Sequence, residues 1–377
     1  MPHVRPCNRL AATRPSVAGL SLVELLVAIV LGLLLVGGML QLFSSSKVTF
    51  NTTSAAARVQ ENGRFSLELL KRELREAGTH GFCGARLDIT SHLDSSCTSA
   101  AQDLYNPNRP VVGWEYDGTA QGDQLTLPAP LDPAAAAAAD WSSSADSGSS
   151  LPALLQGEVV PGSDVLMLRR VEVIPGVTGA SGNDVTSNTI NLNTAPGSPA
   201  DEALLLVTNC ATGVDLFQNA ASPTVAAFQS GGSCFDDVDW STLYDGAMQA
   251  FRVVTLAYYV GQNSRGEPSL FRLDMTRGVD NPQAEELVEG VENMQVLYGF
   301  SQAAPAGDGQ SVDNWLAADD VPAGGWEQII AVRVGLSLGS PDVADGDTTD
   351  VTFDLSGAEI TVPGDGRLRQ PFSTTVA

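Results

Sequence analysis

From Leu25 to Phe43 the chain runs for 19 residues without a charge, broken only by small residues and Gln41. That run limits what the rest can be. As a helix rising roughly 1.5 Å per residue it is about 28 Å long, close to the hydrocarbon thickness of a bilayer. Arg5, Arg9 and Arg14 precede it and no acid lies before them. The basic flank predicts a cytoplasmic N-terminus and puts everything after the run on the other side of the membrane. Three ordinary readings compete. A secretory signal peptide would be cut after the run, with Ser44-Ser45-Ser46 as the nearest small-residue site. A signal anchor would stay uncut. A buried core helix fits poorly, because the stretch is apolar on every side.

Glu24 separates these readings. An acid at the centre of a membrane helix costs about 2.5–3.5 kcal/mol, and less near the interface, so the residue type alone decides little. Its place decides more. The stretch reads Gly19-Leu20-Ser21-Leu22-Val23-Glu24, and a cut after Gly19 makes Leu20 the first residue and Glu24 the fifth. A short basic leader, Gly at the cut, an apolar first residue, Glu at the fifth and then an apolar helix resembles the class III prepilin signal. The resemblance implies cleavage between Gly19 and Leu20 by prepilin peptidase and N-methylation of Leu20. It also implies pairing of Glu24 with the terminal amine of a neighbouring pilin. A lone carboxylate in an apolar bundle needs such a cation. The first residue is commonly Phe in that signal, and Leu20 departs from it.

The second half of the helix reads differently. No proline occurs between Leu20 and Thr79. After a polar bridge from Ser44 to Ala57, with Lys47 beside the apolar run, a helical period returns. Val59, Gly63, Leu67, Leu70, Leu74 and Ala77 fall on one face. Glu68 and Arg72 are spaced to pair across one turn, and Gly78 is placed to cap the C-terminus. One helix from Leu20 to Ala77 is expected, the alternative being a separate second helix. Gly37-Gly38 is either a point where the helix loosens in a filament or a site of close helix packing.

Beyond Gly81 the pattern changes to short apolar runs separated by Gly, Pro, Asn and Asp. Strands are predicted at residues 111–116, 124–127, 165–174, 203–208, 251–260, 270–274, 294–300, 329–338 and 351–355. The 37 glycines, 21 prolines and only 17% charged residues suit a turn-rich β domain. The fold class is therefore α+β: a long N-terminal helix, its first half membrane-spanning, followed by a mostly antiparallel β head. The expected divisions are a leader at 1–19, a membrane and assembly helix at 20–45, an amphipathic continuation at 46–78 and the head at 79–377. Residues 132–150, rich in Ala and Ser, are expected to form a surface loop, and residues 301–325 another.

The net charge is −24, and becomes −27 without residues 1–19, which carry three arginines and no acid. Such a surface repels phosphate backbones and argues against nucleic-acid binding by the bulk of the head. Of five cysteines, Cys7 lies in the basic tip and Cys83, Cys97, Cys210 and Cys234 lie beyond it. Their spacings do not resemble zinc-ligand pairs, so disulfides in an oxidising compartment are expected. Nearest-neighbour pairing joins Cys83 to Cys97 and Cys210 to Cys234, one of three connectivities. A loop of about 15 residues closed in this way contributes roughly 3 kcal/mol. His80 and His92 have no recognisable partner in the sequence. Asp342, Asp345, Asp347 and Asp350 cluster as hard-cation ligands can, but without the EF-hand order, and a solvated turn is the simpler reading. Asp236, Asp237 and Asp239 beside Trp240 read the same way. No nucleotide loop, metal-binding histidine pair or nucleophile elbow occurs, so no cofactor, metal or catalytic residue is expected.

Within the head, Val288-Glu289-Gly290-Val291-Glu292-Asn293-Met294-Gln295-Val296-Leu297-Tyr298-Gly299, with Trp326 and Ile330-Ala331-Val332-Arg333-Val334, resembles the C-terminal part of PilW-family minor pilins. It is a pattern shared with GspJ-type pseudopilins of type II secretion. Read from the residues, this is a strand, an irregular loop and a second strand, with Arg333 on the face opposite its apolar neighbours. The resemblance implies a structural subunit that primes or tips a type IV pilus and supports motility, adhesion or DNA uptake. Its partners would be prepilin peptidase, other pilins and the inner membrane. The alternatives are a type II pseudopilin and a secreted adhesin or enzyme using the same leader.

Overall fold

A computed structural model describes residues 21–78, 89–92, 109–144, 150–197, 204–231, 239–276, 282–303, 311–344 and 347–377. The chain divides into Met1–Asn51 and Thr52–Ala377, and helix α1, Leu22–Glu76, contributes to both. Its start is set locally: the Ser21 hydroxyl accepts the Glu24 N–H at 3.2 Å and the Ser21 carbonyl accepts the Leu25 N–H at 3.1 Å, which is N-capping by a residue suited to it. In the first unit the helix is apolar and open, with Leu22 75% and Phe43 70% exposed. It is long and apolar enough to cross a membrane by length and composition.

In the second unit α1 becomes one-sided. Val59, Gly63, Ser66, Leu70, Glu73 and Leu74 are buried, so the packed face includes two polar residues that its hydrophobic period did not mark. Leu67, expected on that face, is only half-buried. Arg72 reaches the adjacent Glu73 at 3.1 Å rather than the expected Glu68, because Glu73 is held in place from the other side. Gly78 ends the helix with φ 70°, a conformation glycine adopts without a Cβ penalty, and its N–H donates to the Arg169 carbonyl at 3.0 Å.

The strands are β1 Ile89–Ser91, β2 Val111–Tyr116, β3 Gln124–Thr126, β4 Trp141–Ser142, β5 Val165–Ile174, β6 Thr189–Asn191, β7 Leu204–Thr208, β8 Val214–Gln218 and β9 Ala227–Gln229. They continue with β10 Gln249–Gln262, β11 Pro268–Asp274, β12 Gln283–Glu289, β13 Val291–Phe300, β14 Asn314–Leu316, β15 Ile329–Val343, β16 Val351–Leu355, β17 Ala358–Val362 and β18 Arg367–Val376. Nine of them form a sheet ordered β1-β8-β7-β10-β5-β2-β4, extended by β11 and β12 from β10. The long β10 is its spine. Residues 250–258 pair with β5 along one edge, so β7, at 249–252, and β11, at 256–262, follow one another along the other edge. A four-stranded antiparallel sheet runs β14-β13-β15-β18, a smaller one β16-β17-β3, and β6 pairs with β9. Only β1–β8 and β17–β3 are parallel among the strand pairs described. The mostly antiparallel β domain after one long helix agrees with the expected fold class.

β13 is buried at every position, as a strand covered on both faces must be. Met294, Val296 and Tyr298 join the main core, while Asn293 and Gln295 donate to the Gly162 carbonyl at 2.5 and 2.8 Å on the other side. The run Val288–Gly299 is not one strand. Gly290, at φ 88°, turns the chain from β12 in the large sheet to β13 in the four-stranded one. A Cβ there would stand 2.6 Å from the Gly339 carbonyl oxygen, so the turn and the strand contact both require glycine.

Nine of the described strands were not predicted: β1, β4, β6, β8, β9, β12, β14, β17 and β18. The sequence of β12, Gln-Ala-Glu-Glu-Leu-Val-Glu, lacks a clear strand period because its first four residues are exposed at the sheet edge. The expected surface loop at 132–150 is corrected in its middle. Trp141 is 2% exposed, donates its indole N–H to the Ser163 carbonyl at 2.8 Å and pairs with Tyr116 in β4–β2. The loop expected at 301–325 likewise contains β14, paired to β13.

Candidate assembly helix and buried polar sites

Glu24 is exposed in the first turn of α1. Its backbone N–H is held by Ser21, and Ser21-Leu22-Val23-Glu24 has the spacing of a capping box, a local role for this segment that its charge alone does not reveal. An acid here is also favourable to the helix dipole. Gly19 and Leu20, the residues flanking the expected cut, lie outside the described residues, as do Cys83, Cys97, Cys234 and His80. Cys210 is disulfide-bonded and sits at φ 58° with its N–H on the Thr208 hydroxyl at 2.9 Å.

The described acids of the 342–350 loop are engaged in structure. Asp342 lies 3.6 Å from Arg58. Asp347 accepts the N–H and hydroxyl of Thr349 at 3.0 and 2.6 Å, and Asp350 accepts the Gly364 N–H at 2.9 Å. Asp345 is outside the described residues. Among the described residues no group of three or more His, Cys, Asp or Glu is arranged to hold a metal. Asp239 is exposed, and Asp236 and Asp237 are outside the described residues.

His92 does have a partner, which corrects the expectation. Its Nε2 lies 2.6 Å from Asp215 Oδ1, and both side chains are essentially dry, at 2% and 0% exposed. Asp215 also accepts the Ser241 N–H at 3.1 Å, the Ser241 hydroxyl at 2.6 Å and the Tyr244 hydroxyl. The Tyr244 hydroxyl is accordingly pushed above its ordinary range by burial and then by Asp215. Ser, His and Asp therefore meet, but serine and histidine both bind the aspartate and not each other. That is a structural knot joining β1, β8 and the segment before β10, not a nucleophile activated by a base. Trp240 packs edge-on against His92 and Phe217, with ring centroids 5.4 and 4.9 Å apart.

A second polar chain, buried only at its Glu73 end, fastens the helix. Glu73, 3% exposed, accepts Arg170 Nη1, and Arg170 reaches Glu172 at 3.1 Å, which in turn accepts Arg252. The chain links α1, β5 and β10 by alternating charge. Burial opposes the charge on Arg170, but Glu73 and Glu172 outweigh it and raise its pKa. Glu172 is lowered because the hydrogen bonds from Arg252 and Arg170 outweigh the effect of burial.

The motif residues of the C-terminal region assemble around β13 and β15, paired from Val291–Leu338 to Phe300–Ile329. Trp326 is 1% exposed and meets Tyr298 edge-on at 4.8 Å. Arg333 faces away from its buried neighbours Val332 and Val334, as expected, and lies 4.3 Å over the Trp315 ring of β14, a cation–π contact.

No curated protein and no solved structure matches the chain. A family match covers the region just described, β11 to β18 with the second half of β10, and includes every residue of the C-terminal motif. Residues 257–377, the C-terminal third of the chain, match the family model of PilW, Type IV Pilus-assembly protein W.

Proposed function

We propose that the chain is a structural minor pilin that helps to prime or tip a type IV pilus, acting by helix packing and not by catalysis. The observation that carries this reading is the presence, in one chain, of a PilW match at residues 257–377 and a capped, exposed, apolar helix beginning at Leu22. The helix start lies just past the Gly19–Leu20 bond, so cleavage there would leave a chain that is helical almost from its first residue. Prepilin peptidase would cut that bond and methylate Leu20, and Glu24 would receive the amine of a neighbouring pilin. Before assembly the chain would span the inner membrane once, with the β domain in the periplasm. After assembly it would stand in the pilus, supporting motility, adhesion or DNA uptake.

Cys83–Cys97 and Cys210–Cys234 are the proposed disulfides, and peptide mapping without reductant tests them. The central experiment is mass spectrometry of the protein recovered from cells. The expected mature chain begins with N-methylated Leu20 and is found in the sheared pilus fraction. A chain that begins upstream of Leu20, or near Lys47, overturns the reading. A loss of type II secretion with intact pili on gene deletion would favour a pseudopilus subunit instead.

A further inference from the structure

Two carboxyl groups meet where β2, the turn before β5 and β13 converge. Asp164 is 1% exposed and Glu115 3%. Asp164 Oδ1 accepts the Tyr116 N–H at 3.1 Å and Oδ2 accepts the Val296 N–H at 2.8 Å. The aspartate thereby ties a strand of the nine-stranded sheet to a strand of the four-stranded sheet. The Thr119 hydroxyl bridges the two carboxyl groups, 3.0 Å from Glu115 Oε1 and 3.5 Å from Asp164 Oδ1, and Glu115 Oε2 is buried without a hydrogen-bond partner among the described residues. Ionised carboxylates offer acceptors only, and one hydroxyl hydrogen cannot serve both groups, so a proton on the pair relieves an acceptor otherwise left unpaired in a dry site.

Among the described residues, no cation pairs with either carboxyl group to replace that proton. The charged and titratable groups acting on the pair are Asp319, from the segment after β14, and Tyr298, from β13. The neutral contacts are the Thr119 hydroxyl on Glu115 and, next to Asp319, the Ser142 hydroxyl of β4 at 3.3 Å. A bound metal fits badly, because backbone N–H groups already occupy both oxygens of Asp164. Two like charges this close and this dry cannot both form without a large penalty.

We propose that Glu115 and Asp164 hold one proton between them at neutral pH, and that this proton makes the junction of the two sheets sensitive to alkali. Burial, with Asp319 adding to it, pushes Glu115 up to about 7. Burial and the facing Glu115 raise Asp164 well above the ordinary carboxylate range. The proton belongs to the pair. Both shifts are upward, so the folded chain keeps a proton that the unfolded chain has already released. The contribution to stability is complete below the ordinary carboxylate range and is lost as pH rises through about 7.

Thermal unfolding of the full chain in detergent micelles, followed by tryptophan fluorescence, tests this. From about pH 5 to about pH 7 the unfolding equilibrium constant should rise by up to about tenfold per pH unit, the slope of one linked proton. Glu115→Gln keeps a hydrogen-bonding group without titrating and should flatten that rise. Equal slopes in the two proteins overturn the proposal. Should Glu115→Gln not fold, Asp319→Asn, a change at an exposed position, removes the facing negative charge that helps to raise Glu115 and should bring the decline to its end at lower pH; an unmoved decline overturns it. Calcium ions that stabilise the wild type at about pH 8, but not Glu115→Gln, would put a cation where the proton is placed and overturn it too.

Discussion

The ring of Phe372 in β18 lies directly on Gly63 of α1: a Cβ added to Gly63 would stand 2.5 Å from its carbon atoms. A glycine inside a helix normally weakens it. Here the missing side chain lets the last strand approach the helix backbone. Gly63→Val should destabilise the protein by about 1–3 kcal/mol through overpacking, read from denaturant unfolding. Phe372→Ala in the same chain should recover part of that loss, because it removes the ring the valine would strike. A simple sum of the two single effects would mean the residues are not in contact.

Glu73 is the buried end of the charge chain that continues through Arg170 to Glu172 and Arg252. Glu73→Ala should cost about 1–3 kcal/mol, the penalty of leaving a partly buried charged group short of a partner. Arg170 keeps Glu172 and Glu76, the latter at 3.5 Å, which holds the loss to that range. Glu73→Gln should cost less than Glu73→Ala, a comparison that thermal unfolding can make.

Asp215 accepts from His92, Ser241 and Tyr244 at once. Asp215→Ala strands all three in a dry site, and the loss should be about 3–5 kcal/mol, as for removal of one partner of a buried pair. Hydrogen exchange should rise first in β8 and around Ser241. Uniform acceleration throughout the β domain would mean that the knot is not a local fastening.

Acid should act on a different site from alkali. Glu267 is held below the ordinary carboxylate range by its hydrogen bonds from Arg367, with burial opposing, and the pair is bidentate at 2.7 and 3.1 Å. Its pKa is depressed in the fold, so its contribution is present above the ordinary range and is lost as pH falls through the depressed value. Arg367→Met should lower stability at neutral pH and flatten the acid limb of a stability–pH curve. An unchanged acid limb would remove Glu267 from the account.

On the pilin reading, Glu24→Ala should leave membrane insertion intact, since it makes the helix more apolar, and should greatly reduce recovery of the chain in sheared pili. Fractionation with immunoblotting measures both. Equal recovery of wild type and variant would leave Glu24 with its local place in the capping segment and no role in assembly.

The helix was legible because its determinants are adjacent in sequence: the apolar run, the absence of proline and the closing Gly78; the cap at Ser21 was legible only from the structure, where its hydroxyl accepts the Glu24 N–H. The strands β5, β10, β13 and β15 were legible at their cores, where apolar residues follow one another closely. β12 and β18 were not, because edge strands are partly exposed and their pairing is set by β11 and β15. Trp141 was hidden among alanines and serines, whose composition suggests a loop, and only its partner Ser163 makes it part of the core.

The sequence by itself determined that the chain carries an apolar helix of membrane length, a one-sided continuation and an acidic, turn-rich β region, since each is a matter of local period and composition. The tertiary structure alone decided that His92 meets Asp215, 123 positions away, and that Asp164 bridges Tyr116 and Val296. Buried polar groups take whatever partner the fold brings within hydrogen-bond reach, and no local pattern records which strand that partner will be on.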